Sequence, residues 1–525
     1  MESPVSSIAW ADERRRWTQF YDQRLAEQLR RAADRAESAP PADLRPHFES
    51  CLSLLHATAE RPALGPLWLA LVDRLHPLPV RWGHWAIWLA VLRRAAEKTA
   101  EPGQAARRAE YVAYVADLLL STGQFEAALT QAQTALGLAR HSRAVWPLGV
   151  AAGVASATLR ALARYGEAQA LIDTTRAVAV SLPPPPSPAR AALAAALIEL
   201  EQLDLHRHFA RPAEALALGE TVIARLLAVD GIDPHDLATA YARRATITWA
   251  FDQYQAAADD LRRAADLYRR AGDELQATFA EGNLGVVYLS LSRYGEAEAL
   301  KLAAIRAAEA VNARHTLATE LGDLSVAYIG LGRMAAAHEY ADRMVKLAAE
   351  LGDEAELSRG RGNRGYTLLA LGRYDEALAD IEASLARYQA QRRVEGVLIT
   401  TVDMVLYWQG VGQTARAAQL ARQNYEAALA EDFPKLRIVT ARCLALFLSP
   451  PERRVLLLET LALARQHGRP MDEAGCLFSL AAIETDAAQG HAYYQAAARL
   501  LEQMGATQWL AGKSLADPPS LPLTI

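Results

Sequence analysis

Apolar residues recur along this chain at spacings of three and four, and no stretch sustains the alternation of a strand. The pattern predicts helices joined by short turns, with almost no β-structure. It also repeats. Segments around Tyr254, Tyr294, Met334, Tyr374 and Thr414 align at a constant step of 40 residues. Phe251-Asp252-Gln253-Tyr254 stands in register with Leu291-Ser292-Arg293-Tyr294, Leu331-Gly332-Arg333-Met334, Leu371-Gly372-Arg373-Tyr374 and Val411-Gly412-Gln413-Thr414. Three residues on, every copy has alanine: Ala257, Ala297, Ala337, Ala377 and Ala417. A side chain of one methyl group lets two helices approach closely.

Each period reads as two helices. The first ends at the Gly-Arg-Tyr type of turn, where glycine removes the cost of a left-handed backbone. The second runs from Glu-Ala for about four turns and ends near Gly272, Asn312 and Gly352, residues that helix C-termini favour. Asp273 and Asp353 follow, placed to cap the next helix.

The patterns Asn283-Leu284-Gly285-Val286-Val287-Tyr288 and Asn363-Arg364-Gly365-Tyr366 resemble the first helix of a tetratricopeptide repeat. Leu371-Gly372-Arg373-Tyr374-Asp375-Glu376-Ala377 resembles its turn and second helix. The 40-residue step is similar to the variant in kinesin light chains and in the sensor regions of bacterial signalling ATPases and transcription activators. The resemblance covers residues 236 to 430 most clearly. Eroded copies extend it around Phe125, Tyr165, Pro212 and Gly490, for about nine or ten helix pairs in all. It implies an all-α, right-handed superhelical solenoid of antiparallel helix pairs, with a helical N-terminal cap.

Five segments follow. Residues 1–100 lack the repeat and read as the cap, with Trp68, Trp82, Trp85 and Trp88 filling its core. Residues 101–182 form a first stack. The run Leu182-Pro183-Pro184-Pro185-Pro186-Ser187-Pro188 excludes helix, so 183–188 reads as a stiff polyproline connector. Residues 189–515 form the main solenoid, with a poor fit near Pro450-Pro451. Residues 516–525 are expected to fray.

Composition narrows the function. Hydrophobic residues are 51% and charged residues 22%, the balance of a folded chain. With 56 basic and 61 acidic residues the net charge is -5, which argues against a nucleic-acid binder. The most apolar windows, 85–92 and 191–200, fall short of a membrane span. No signal-peptide pattern opens the sequence, so a soluble, cytoplasmic protein is expected. Cys51, Cys443 and Cys476 are too widely spaced for a disulfide or zinc framework.

Candidate chemistry dissolves on inspection. Gly360-Arg361-Gly362-Asn363-Arg364-Gly365 fits a dinucleotide motif formally, but its glycines fall in repeat phase and read as packing positions. Gly512-Lys513-Ser514 lacks the earlier glycine of a phosphate loop. His206-Arg207-His208 has no partner cluster for a metal. No catalytic residue, metal or cofactor is expected.

One set of residues resists the packing account. Arg243, Asn283, Asp323, Asn363 and Asp403 are 40 apart, each polar among apolar neighbours on a first helix. Residues in phase in a solenoid form a row. The family resemblance implies that this row lines the concave groove, and that asparagine there bonds the backbone of a bound peptide. An amide both donates and accepts, matching a peptide unit; aspartate only accepts. Arg359, one turn before Asn363, and Tyr366, three residues after it, complete the candidate surface. The expected function is a non-catalytic scaffold that binds a peptide or protein segment in the groove. The alternative is a ligand-sensing regulatory module acting with a separate effector. An enzyme assembled on the solenoid ranks last.

Overall fold

The computed structural model describes residues 4–523 apart from 186, 209, 210 and 432. Among these, twenty helices from Ala105 to Gln503 form ten successive antiparallel pairs. Six consecutive first helices begin at Pro234, Glu274, Arg314, Glu354, Val394 and Pro434, so the sequence period is the structural period.

The turns explain the register. Asp252, Ser292, Gly332, Gly372 and Gly412, again 40 apart, all have positive φ between the two helices of a pair. Gly272, Asn312 and Gly352 do the same between pairs. Asp273 then caps the following helix by accepting from the Gln276 amide at 2.9 Å, and Asp353 accepts from Glu356 at 3.0 Å. Pro450 sits at the first position of helix Pro450–Gln466, where its missing N–H costs nothing, behind a Ser449/Glu452 capping box.

The in-phase alanines Ala257, Ala297, Ala337, Ala377 and Ala417 are all 0% exposed. They lie where the two helices of a pair press together. A Cβ on Gly285 would meet the Ala297 carbonyl at 3.5 Å, and one on Gly365 the Ala377 carbonyl at 3.6 Å. In the copy between them, Ser325 donates to the Ala337 carbonyl at 2.9 Å. Gly360 and Gly365 likewise pack on neighbouring helices inside Glu354–Ala370, so the G-x-G-x-x-G match is helix packing.

First helices are buried on several sides and touch the first helices of adjacent pairs. Second helices bury a single stripe, as Ala377, Asp380, Ile381 and Ser384 show. The first helices therefore form the inner row and the second helices the outer one.

Successive turns of the coil touch. Arg81 donates to the Ala271 carbonyl at 3.3 Å and pairs with Asp233 at 2.6 Å. Gly83 lies against Val311, Gly123 against Leu351, and Phe125 meets His315 edge-on at 5.5 Å. At the other edge Trp509 donates to the Gly330 carbonyl at 3.0 Å. There Met471, Phe478 and Leu501 share one apolar cluster with Tyr294, Tyr328 and Leu331. These contacts join residues about 150 to 230 positions apart, the length of roughly four to six periods of 40. The inner helices thus face the lumen of a coil whose successive turns touch.

Trp68, Trp85 and Trp88 are buried in the N-terminal bundle. Its core runs on into the solenoid through Phe279 and Ala313. The apolar core also continues across the proline-rich run, because helix Pro188–His208 packs on Val145–Ala161. Residues 516–523 are not frayed as expected, and 524 and 525 lie outside the described residues. Leu521 and Leu523 are buried, and Arg442 donates to the Pro522 carbonyl at 3.0 Å. No helix among the described residues is long and apolar enough to cross a membrane.

Candidate functional site

The row of polar positions runs along the inner helices, and its members meet different fates. Arg243 reaches back to the preceding first helix, where it pairs with Glu201 at 3.1 Å and with Asp204. Arg160 joins from one helix earlier, 3.0 Å from each of the same two carboxylates. Burial would raise the Asp204 pKa, but Arg243 and Arg160 outweigh it and hold the carboxyl ionised. Three consecutive first helices are tied together by this cluster.

A second cluster centres on Asp323. It accepts from Lys301 at 2.7 Å and from Arg359 at 2.6 Å. Lys301 also meets Glu320 at 2.9 Å and is fully buried. Arg359 continues to Glu356 at 2.6 Å and to the Thr319 carbonyl at 3.0 Å. Burial would lower the Lys301 pKa, yet Asp323 and Glu320 together raise it. Glu320 is pushed up by burial, offset only in part by Lys301.

Asn363 is half-buried and donates to the Gly322 carbonyl at 3.2 Å, again across a repeat boundary. Asp403 is buried, within electrostatic reach of Tyr366 and Cys443. Tyr366 is turned into the core, 8% exposed, and burial raises its pKa. The structure therefore brings Asp323 and Arg359 together, with Asn363 on the adjoining backbone. It places Arg243 in a separate cluster.

Asn283 differs from the rest. It is exposed, and its amide makes no hydrogen bond among the described residues. It stands on the inner row between the two ion clusters, neutral and more exposed than Asn363.

Sequence reasoning passed over Lys301, Glu320 and Asp117. A signal existed for the first two. Positions in phase with Lys301 are Leu261, Ala341, Ile381 and Ala421, all buried and apolar. Positions in phase with Glu320 are Ala240, Ala280, Gly360 and Thr400, all small. A charge where every other copy is apolar or small implies a buried partner. Asp117, on helix Ala105–Ser121, meets solvent but is walled in by protein. Desolvation pushes its pKa up to about 6, against the pull of His235 and Arg243.

The cysteines, His206 and His208 are buried or in contact with neighbours. Cys51, Cys443 and Cys476 are buried, and burial pushes the Cys443 and Cys476 thiols up to about 12. His208 stacks on Tyr165 at 3.5 Å, and His206 lies 3.3 Å from Glu214.

No family model matches the sequence, and no curated protein matches it. Solved structures do match the fold. The Rap protein complexed with competence and sporulation factor aligns with TM-score 0.54 at 12% identity, over 69% of this chain and 99% of that one. The apo form of the quorum sensor NprR from B. thuringiensis aligns with TM-score 0.48 at 14% identity, over 67% and 97%. A putative kinesin light chain from Podosopora anserina with TPR-like repeats gives TM-score 0.32 at 18% identity, over 40% and 100%. Together with the ten successive helix pairs, the first of these likenesses establishes the architecture: the chain is a tetratricopeptide-like helical solenoid.

Proposed function

We propose that this solenoid is a non-catalytic interaction scaffold whose lumen holds an extended peptide or a segment of a partner protein. The observation that carries this reading is Asn283. It is the row position left exposed and without a hydrogen bond between two stretches of wall whose charges are satisfied. Its amide can donate to a peptide carbonyl and accept from a peptide N–H at once. Asn363 offers a second such contact by exchanging its weak bond to Gly322. Arg243, Asp323, Arg359 and Asp403 set the shape and charge of the wall, and Tyr366 packs behind it. The fold likeness to the Rap protein, a structure that holds competence and sporulation factor, supports a bound peptide.

Random heptapeptides displayed on phage and panned against the whole chain provide the test. Selected peptides should bind the wild type by titration calorimetry. Replacing Asn283 and Asn363 together with alanine should weaken them at least tenfold, about 1.4 kcal/mol. Equal binding to both proteins would contradict the reading.

The touching turns favour a second reading, a ligand-sensing module that acts on a separate effector. A ligand that changes the pitch must break or re-form contacts such as Trp509 to Gly330 and Arg81 to Ala271. Small-angle scattering with a panned peptide would then show a changed radius of gyration. An unchanged profile leaves the static scaffold as the better description.

A further inference from the structure

The opening helix, Pro4–Ser38, is 35 residues long. Its second half is anchored: Leu29 is 0% exposed, and Ala26 and Ala33 are buried against the following helices. Before Asp22, which pairs with Arg61, every described side chain is exposed. That stretch carries three aromatic residues, Trp17 at 54% exposure, Phe20 at 44% and Tyr21 at 54%. They touch one another, with ring centroids 5.8 to 6.1 Å apart, and no core residue covers them. A contiguous aromatic ridge on an exposed helix marks an interaction surface.

The ridge runs into a groove on the same helix. Trp17, Tyr21, Leu25 and Gln28 share one face at helical spacing. Leu25 and Gln28 form one wall of a hollow of about 450 Å³, with Ser50, Ser53 and Leu54 opposite. One helix thus presents a bulky knob and, a few turns on, a hole that would accept it.

The charges decide what occupies the hole. Beside the aromatic ridge, Glu13 and Arg16 precede it, and Glu27 and Arg31, which pair with each other within the helix, follow it, all four exposed. Run antiparallel to a copy of itself about a two-fold axis near Asp22, the helix sets Arg16 opposite Glu27 and Glu13 opposite Arg31. The same operation sets Trp17 over the Leu25–Gln28 hollow and brings the two Tyr21 rings together. A parallel copy would set like charge against like. We infer that the occupant is a second copy of this chain, docked antiparallel through the first helix in an isologous dimer.

An interface built on one helix sits at the small end of specific interfaces, so micromolar association is expected. Sedimentation of the full chain tests it. The 57.1 kDa species should give way to its dimer as concentration rises to about 100 µM. Trp17→Glu should sediment as monomer throughout with an unchanged far-ultraviolet circular dichroism spectrum. Arg16→Glu alone should weaken the dimer at least tenfold, and Arg16→Glu with Glu27→Arg should restore it. A wild type that stays monomeric across that range would overturn the inference. So would a dimer indifferent to Trp17→Glu, or a double variant as weak as the single one, which would place a different partner or a different arrangement on this ridge. None of these readings depends on what the lumen holds.

Discussion

Two stretches of the inner wall use the same register positions differently. Around Arg243 and around Asp323 the row is charged, and each charge is met by partners from neighbouring helices, so those residues hold repeats together. Between them the row is neutral at Asn283, whose amide has no hydrogen-bond partner among the described residues. A position in phase is therefore not a role in phase. An ionised group in the wall must find a counter-charge or shift its pKa, and the nearest helices supply that counter-charge. An amide makes no such demand and can be left for a ligand.

The two charged clusters also differ from each other. Lys301 and Glu320 are buried, so Asp323 sits where partial loss leaves bare charge. Asp323→Ala leaves buried Lys301 to Glu320 and Arg359 to Glu356, takes one carboxylate from a site with two cations, and should cost about 3 kcal/mol, seen as a lower urea midpoint. Arg243→Ala should cost less, about 1–2 kcal/mol, because Arg160 still faces both carboxylates and Arg243 is partly solvated. If the two costs were equal, the second arginine would not be acting as a reserve.

A smaller effect is expected at Asp117. Its pKa rises from 3.8 to about 6 on folding, so the folded state binds its proton more tightly than the unfolded state does. Ionisation then costs stability as pH climbs through that window, and the cost is complete above it. Asp117→Asn should raise the melting temperature at pH 7 by about 1–2 °C, discounted for its access to solvent, and leave it unchanged near pH 3. A gain of the same size at both pH values would mean that the carboxylate is not the cause. Asn283→Ala closes the series, with a stability change within about 0.5 kcal/mol.

Much of this was legible in the sequence. The 40-residue step gave the helix starts from Pro234 to Pro434, because each turn needs a residue that tolerates positive φ and each pair needs a small residue at its crossing. The polar row was legible as a row. Which of its members face the lumen was not, because that depends on side chains from other helices at other phases. Lys301 claims Asp323, and Glu201 and Asp204 claim Arg243. The touching turns were not legible either, since Arg81 and Ala271 are 190 residues apart with no shared pattern. The docked C-terminus depends in the same way on Arg442, which looks like any other arginine until Asp472 and the Pro522 carbonyl are placed beside it.

The distinction between lining and glue is tested most directly by titrating one panned peptide against two single variants by calorimetry. A lumen-lining Asn283 requires that Asn283→Ala bind at least tenfold more weakly than wild type, while Arg243→Ala, though less stable, binds within about twofold. The opposite order, with Arg243→Ala losing the peptide and Asn283→Ala keeping it, would show that the paired charges and not the free amide make the contact.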